Sequence, residues 1–369
     1  MPAEPLCLVR GSINVDEFFH LPHIVRPGET ISSTSLSRRA GGKGANQACA
    51  VARSAGGPVR LIGAVGADGI WAKDLLESYG VDVDGVVVQK DGVTGRAVIQ
   101  LDGEGENCII LYQGANHAEL PLPSEFSPRP SHLLLQNEIP LPQTLHYLSL
   151  CPPTSSSSEG TSAIFNPSPM LSSEEIASFP WWKLGWLIVN EGEMEDLLKD
   201  LSSSSDSSSP SADIKHLKES IETIGEAAPE KYETFLPTLL QLARHKSLQP
   251  PAGSHKTTSP SIVLTLGSAG SFALLSPSGP SGRYGLIYTP ASKLQGETRD
   301  TTGAGDCFAG FLVGGLMRLL GEGKSESDQQ GMRDVMRVAT QAAGMCVESH
   351  GAQEAVPEMK SVQARLAAL

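Results

Sequence analysis

Asp300-Thr301-Thr302-Gly303-Ala304-Gly305-Asp306-Cys307-Phe308-Ala309-Gly310 is the stretch whose reading decides the fold of this chain. A small-residue loop opens here into an apolar run, Phe311-Leu312-Val313 continuing to Leu319 and Leu320, which predicts a helix. Gly303, Ala304 and Gly305 leave the first-turn amides of that helix uncovered. Such N–H groups, at the positive end of the helix dipole, make an anion site. Asp306 falls inside the same turn. A carboxylate base beside a phosphate cradle is what a hydroxyl needs to attack a phosphoryl group. A lone Gly-x-Gly-Asp reads equally well as an ordinary capped loop, so the weight falls on the rest of the chain.

Outward from that stretch, strand and helix alternate. Leu6-Cys7-Leu8-Val9 is a short buried strand that runs into Gly11-Ser12-Ile13-Asn14-Val15-Asp16. Gly41-Gly42-Lys43-Gly44-Ala45-Asn46-Gln47-Ala48 opens an Ala-rich helix, Pro58 to Gly66 is a second strand, and Asp68 is placed to cap a helix ending at Gly80. Further strands are expected at 131–136, 162–166, 185–190 and 261–266, and closing helices at 328–348 and 357–368. The alternation predicts a parallel sheet between helical layers. Around 15–40 and 84–112 the rhythm shortens to strand-like pieces, with a hairpin expected between 96–101 and 107–111 across Asp102-Gly103-Glu104-Gly105. These pieces predict a small β lid on one α/β domain spanning 1–369.

Three stretches break the pattern: Ser155 to Ser158, Ser202 to Ser211 and Gln249 to Pro260. Their composition buries too little apolar surface to offset ordering entropy. The segment 201–260 reads as an expanded connection carrying surface helices near 212–224 and 230–245.

Composition bounds the partners. A formal charge of −13 argues against nucleic acid or an anionic membrane. No apolar run approaches the length of a membrane span, and no signal-peptide pattern opens the chain. Six cysteines without pairing rhythm read as reduced core residues. A cytoplasmic location follows as the expectation, with access to the nucleus left open.

Polar residues recur at apolar strand ends: Asn14 and Asp16, then Gln136-Asn137-Glu138, Asn190-Glu191-Gly192-Glu193, and Thr265-Leu266-Gly267-Ser268-Ala269-Gly270. One such end is a cap; several on one sheet edge make a ligand site. An Asn and an Asp one residue apart suit adjacent sugar hydroxyls, since a carboxylate accepts two hydrogen bonds and an amide both donates and accepts. Gly321-Glu322-Gly323-Lys324-Ser325 echoes a P-loop but follows a helix, and reads as a helix-ending turn. His20 and His23 read as lid histidines rather than metal ligands. Trp181 and Trp182 read as packing or turn residues.

Gly-Gly-Lys-Gly-Ala-Asn-Gln-Ala at 41–48 and Asp-Thr-Thr-Gly-Ala-Gly-Asp at 300–306, in this order and on this background, resemble the ribokinase-like (PfkB-type) sugar kinase family over nearly the whole chain. The resemblance implies a three-layer α/β/α sandwich with a mainly parallel sheet and a small β lid. It implies ATP-dependent phosphorylation of D-ribose at O5, with Asp306 as catalytic base and Gly303, Ala304 and Gly305 as anion hole. Asn14, Asp16, Gly42, Lys43, Asn46 and Glu138 would hold the sugar together with Asp306. Asn190, Thr265, Gly267, Ser268, Gly270, Gly305 and Thr340 would bind the nucleotide. Glu193 would hold Mg²⁺ through water. Asp300, Thr302, Cys346, Ser349 and Gly351 would surround an activating K⁺, although Ala355 replaces the usual Ser there, and Thr340 replaces an Asn or His near the adenine. The lid would also supply a homodimer contact. Kinases of other furanoses or of nucleosides, and a silent sugar-binding protein on the same fold, are the alternatives.

Overall fold

The computed structural model describes residues 4–104, 106–152, 160–201, 217, 232–278 and 283–368. The strands are β1 Cys7–Arg10, β2 Asn14–His20, β3 Ser35–Gly41, β4 Val59–Gly66, β5 Asp82–Gln89, β6 Gly95–Leu101, β7 Asn107–Tyr112, β8 His132–Gln136, β9 Ser162–Asn166, β10 Trp186–Asn190, β11 Ser261–Thr265, β12 Ser271–Ser278 and β13 Arg283–Thr289. The helices are α1 Lys43–Arg53, α2 Ile70–Ser78, α3 Leu141–Ser149, α4 Ser173–Ser178, α5 Glu191–Leu201, α6 Tyr232–Arg244, α7 Ala304–Gly321, α8 Gln329–Cys346 and α9 Met359–Ala367. The helix expected near 212–224 and the serine runs at 155–158 and 202–211 lie outside the described residues, Leu217 apart.

Nine strands form one sheet in the order β13-β12-β11-β10-β9-β8-β1-β4-β5. Every pairing from β11 through β5 is parallel. Such strands are covered on both faces, which is why they read as continuous apolar runs rather than alternating ones. In β1, Cys7 and Val9 enter one core and Leu8 the other; in β10, Trp186 and Ile188 oppose Leu187 and Val189. Helices α1, α2, α7, α8 and α9 cover the first face, and α3, α4, α5 and α6 the second. The result is the expected three layers.

Helix α7 is the spine of the first layer. It approaches α1 so closely that a Cβ at Gly310 would lie 2.3 Å from the Ala50 methyl, and one at Gly314 would strike Ser54. Among the described residues it is also the one helix apolar and long enough to cross a membrane, at 18 residues, but 72% of it is buried inside the fold.

A second sheet, β3-β2-β6-β7, forms the lid. Asn14 and Asp16, read as polar residues past the end of β1, sit on lid strand β2. Residues 84–89, expected in the lid, belong to β5 and pair with β4 at the edge of the main sheet. Asp68 is not a helix cap. Its carboxylate accepts from the Thr94 backbone N–H and hydroxyl and pairs with Arg96 at 2.5 Å, while Arg96 reaches Glu17 at 2.7 Å, so that lid and body are tied together. The antiparallel pair β12–β13 was not legible in the sequence and extends the sheet beyond β11. The loop 249–260, expected to be a loosely held surface stretch, instead buries Lys256, whose ammonium donates to the Leu184 carbonyl. Burial lowers that pKa to about 8 against the opposing pull of Glu326.

Candidate active site

All the parallel strands end on one edge of the sheet. The chain runs outward from β1 to β4 and β5, then returns to β8 and continues the other way, so the crevice between β1 and β8 is the topological switch point where open α/β sheets bind ligands. Ser12 donates to Glu138 at 2.5 Å across that crevice, and the Lys43 backbone N–H donates to the same carboxylate at 2.9 Å.

Asp306 lies at the third residue of α7, buried to 8% exposure. Its two carboxylate oxygens accept from Asn46 Nδ2 at 3.0 Å and Gln47 Nε2 at 2.9 Å. The polarity of these amides is set from behind. Gln136 donates to Gln47 Oε1 at 2.7 Å, and Gln353 donates to Asn46 Oδ1 at 3.2 Å. Both amides must therefore present their NH₂ groups to Asp306, which is held as a double acceptor. Asn46, expected on the sugar, engages Asp306 and Gln353 in this structure. Gln47 and Gln136, legible as parts of the 41–48 motif and of a polar strand end, and Gln353 were given no role of their own; that they converge on Asp306 and Asn46 is decided by the fold.

Gly303 caps α7 in the left-handed region (φ 76°) and offers no side chain to the first-turn amides. A Cβ there would lie 2.7 Å from the Ala352 methyl, so the turn is pressed onto the 349–353 segment. Beside Gly305, by contrast, a Cβ would meet nothing within 4 Å. The cradle is closed below and open above, as an anion hole requires.

Lys43 begins α1 and faces this opening. Burial works against its charge, but Asp306, Glu138 and Glu193 outweigh it and raise its pKa. The ammonium thus lies within the field of all three carboxylates, Asp306, Glu138 and Glu193. Asp16 is partly buried and pushed up to about 7 by burial first, then by Glu138, Asp306 and Glu354. Asn14 is oriented by Asn116, which donates to its Oδ1 at 2.7 Å and accepts from the Ile13 N–H at 2.8 Å. Asn116, another residue without a sequence signal, thereby turns the Asn14 amide. Gly42 (φ 89°) would bring a Cβ to 2.8 Å from the Asn14 N–H. A cleft of about 1160 Å³ under the lid takes in Asn14, Arg96, Tyr112, Asn116, Asn137 and Glu138.

On the other side, Asn190 and Glu193 exchange reciprocal bonds of 2.9 Å between side chain and backbone at the start of α5. This places a carboxylate and an amide oxygen near Lys43, a hard-oxygen set that fits Mg²⁺ held through water. Thr265 ends β11 beside Asn190. Gly267 and Gly270 both adopt positive φ, and a Cβ at Gly270 would strike the Thr289 carbonyl; Ser268 lies in the turn between them. Thr340, on α8, contacts Ser271 at 3.4 Å and lines a second cavity of about 340 Å³ with Tyr288, Pro290 and Arg337.

The expected K⁺ ligands meet a different situation. Asp300 accepts from the Thr302 N–H and the Gly351 N–H, each at 2.9 Å, and Arg39 of the lid stands 3.7 Å from the same carboxylate. These bonds and Arg39 outweigh burial and lower the Asp300 pKa. Cys346 is buried at the end of α8, its carbonyl accepting from Ser349. The one anionic side chain of the expected set is therefore faced by a guanidinium at 3.7 Å. His23 pairs with Glu29 at 2.9 Å, a carboxylate partner not foreseen, and no metal-binding cluster occurs among the described residues. Trp181 is buried against Phe179 and Phe165.

The chain matches the pfkB family carbohydrate kinase over residues 5–141 and 244–359. It is 46% identical to the solved ribokinase of Cryptococcus neoformans var. grubii in complex with ADP, with a TM-score of 0.77 over 98% of this chain and 99% of that one. The Arabidopsis thaliana ribokinase complexed with ribose and ATP is 26% identical, with a TM-score of 0.71 and 99% of each chain covered. A bifunctional ribokinase/ribose-5-phosphate isomerase A of Fructilactobacillus sanfranciscensis is 27% identical over 96% of this chain, which spans 55% of that protein's length.

Proposed function

The chain belongs to the pfkB family of carbohydrate kinases, and on that premise we propose that it transfers the γ-phosphoryl group of ATP to O5 of D-ribose. It is an ATP-dependent sugar kinase; the sugar and the residue roles are our reading. The observation that carries the reading is Asp306, held as a double acceptor in the first turn of an uncapped helix, beside Lys43 and across from Glu138.

In this mechanism Asn14, Asp16, Gly42 and Glu138 bind the ribose hydroxyls and direct O5 toward Asp306. Asp306 removes the O5 proton as the O5–P bond forms and the bond from Pγ to the bridging oxygen of ADP breaks. The N–H groups at Gly303, Ala304 and Gly305 and the Lys43 ammonium stabilise charge on the transferring group. Asn190 and Glu193 would hold Mg²⁺ through water, which neutralises the phosphates when bound. Thr265, Gly267, Ser268 and Gly270 cradle the nucleotide, with its base against Thr340. A base of this kind contributes ~10²–10⁴-fold, the remainder coming from positioning and electrostatics.

The lid covers the sugar and excludes water. Its edge strand β7 leaves Ile109, Ile110, Leu111 and Tyr112 each more than half exposed. An unpaired, apolar edge strand of this kind supports pairing with the lid of a second copy. We place the enzyme in the cytoplasm.

The test is ADP release with ATP and Mg²⁺ against D-ribose, 2-deoxyribose, fructose and adenosine. Ribose should give the highest kcat/KM, because a site built on hydroxyl contacts penalises their loss. Preference for another member of the panel would reassign the substrate. Silence across the panel would remove catalysis from the reading.

A further inference from the structure

Arg39 stands on lid strand β3, two residues before Gly41, and its guanidinium lies outside the sugar cleft described above. It passes over the Phe18 ring at 5.6 Å and ends 3.7 Å from Asp300 Oδ2. Its Nη1 also rests against Gly351: a Cβ on that residue (φ 93°) would come within 2.8 Å of Nη1 and 2.7 Å of Glu354 Oε2. The guanidinium therefore occupies the surface of the 349–353 turn among carboxylates.

That turn is the platform of the anion hole. Asp300 binds the backbone of Thr302 on one side and of Gly351 on the other, and Ala352 supports Gly303 from beneath. A carboxylate bridging two backbone segments under a phosphoryl-binding loop needs a counter-charge. Without one, its negative potential opposes the anion that the loop must hold. In a kinase that uses an alkali metal the ion supplies that charge. Here the chain supplies it from the lid.

We propose that Arg39 is the resident cation of this platform, taking the place of K⁺ and coupling closure of the lid to the shape of the anion hole. Arg39 is a positioning residue: it acts through Asp300 and touches neither reactant. A guanidinium has a fixed charge at every working pH and a planar set of donors suited to a carboxylate. It arrives only when β3 is in place, so the anion hole is electrostatically complete only under a seated lid.

The kinetic part of the test rests on the proposed sugar-kinase activity; the binding part does not. Turnover and thermal unfolding are measured in KCl, NaCl, LiCl and choline chloride at constant ionic strength, for the wild type, Arg39→Met and Arg39→Lys. Met keeps the stem over Phe18 and removes the charge. The wild type should respond equally to all four salts in both kcat and Tm. Arg39→Met in choline should lose roughly 5–150-fold in kcat/KM for ATP, the usual size of a coupling between sites. K⁺ should restore much of that loss and raise the Tm of this variant alone, while Arg39→Lys should sit between the two without needing K⁺. Selective activation or stabilisation of the wild type by K⁺ overturns the proposal, whether or not the variants fold. Full activity of Arg39→Met in choline also overturns it, as does a loss that no alkali cation repairs. If no sugar is turned over, the activity reading has failed, and the K⁺-dependent Tm of Arg39→Met against wild type still decides the role of Arg39.

Discussion

Replacing Asp306 by Asn separates the chemistry of the base from the structure that holds it. Asp306 accepts one hydrogen bond at each oxygen, from Asn46 at 3.0 Å and Gln47 at 2.9 Å. An asparagine can accept at one of them only, and its NH₂ then faces another amide NH₂. Neither neighbour can turn to relieve this, because Gln136 donates to Gln47 and Gln353 to Asn46 from the far side. A buried donor left without an acceptor costs about 1–3 kcal/mol. At about 2.1 cal/mol/K of unfolding entropy per residue, a chain of this length should lose about 1–4 °C in Tm. The catalytic loss is separate: removing the base should lower kcat by ~10²–10⁴-fold while the KM for ATP changes little. Differential scanning calorimetry and ADP-release kinetics on the same preparation read both numbers. A variant with kcat close to wild type would remove Asp306 from the mechanism. A variant with unchanged or higher Tm would show that the double-acceptor network does not constrain the carboxylate, whatever happens to the rate.

The two glycines flanking the anion hole should respond in opposite ways. Gly305→Ala places a methyl in open space and should keep the Tm while lowering kcat, whereas Gly303→Ala meets Ala352 at 2.7 Å from a positive φ and should cost stability first; calorimetry beside steady-state kinetics distinguishes them, and equal Tm losses would contradict the open cradle. Asn116→Ala frees the Asn14 amide and leaves the Ile13 N–H unpaired, so the KM for ribose should rise with kcat nearly unchanged, at a cost of about 1–3 kcal/mol in stability; an unaltered ribose KM would remove the orienting role. Asp16 has its pKa raised from 3.8 to about 7 in the folded protein, so its contribution to stability is fully present below about pH 4 and is lost as pH rises through about 7. Ribose hydroxyls favour the ionised form, so binding near pH 6 should release a proton and weaken as pH falls. Calorimetric titration in two buffers of different ionisation enthalpy measures this, and proton uptake would reverse the assignment.

How much of this was legible beforehand follows from the range of the interactions concerned. Strands at 131–136, 162–166, 185–190 and 261–266 and the helix from 304 were visible because apolar runs and caps are local properties, and they recur in the structure within a residue or two. The 303–305 loop and the Gly-Gly-Lys-Gly turn were likewise visible, since adjacent small residues dictate their backbone conformation. The antiparallel pair β12–β13 and the true extent of β5 were not, because membership of a sheet is decided by the partner strand and not by the strand itself. The same holds for the contacts of Gln47, Gln136, Gln353 and Asn116, whose partners around Asp306 and Asn14 are set only by folding. Arg39 shows the division most plainly. Its sequence position marks only a basic residue on a lid strand, and 261 residues separate it from the carboxylate it meets at 3.7 Å. The sequence by itself determined the layered fold and the small-residue turn that opens α7 with Asp306 inside it, because each is written in consecutive residues. Tertiary structure alone decided which amides hold Asp306 and that Arg39 faces Asp300. Hydrogen bonds and ion pairs act over a few ångströms of space, and neighbours in space are set by the whole chain at once.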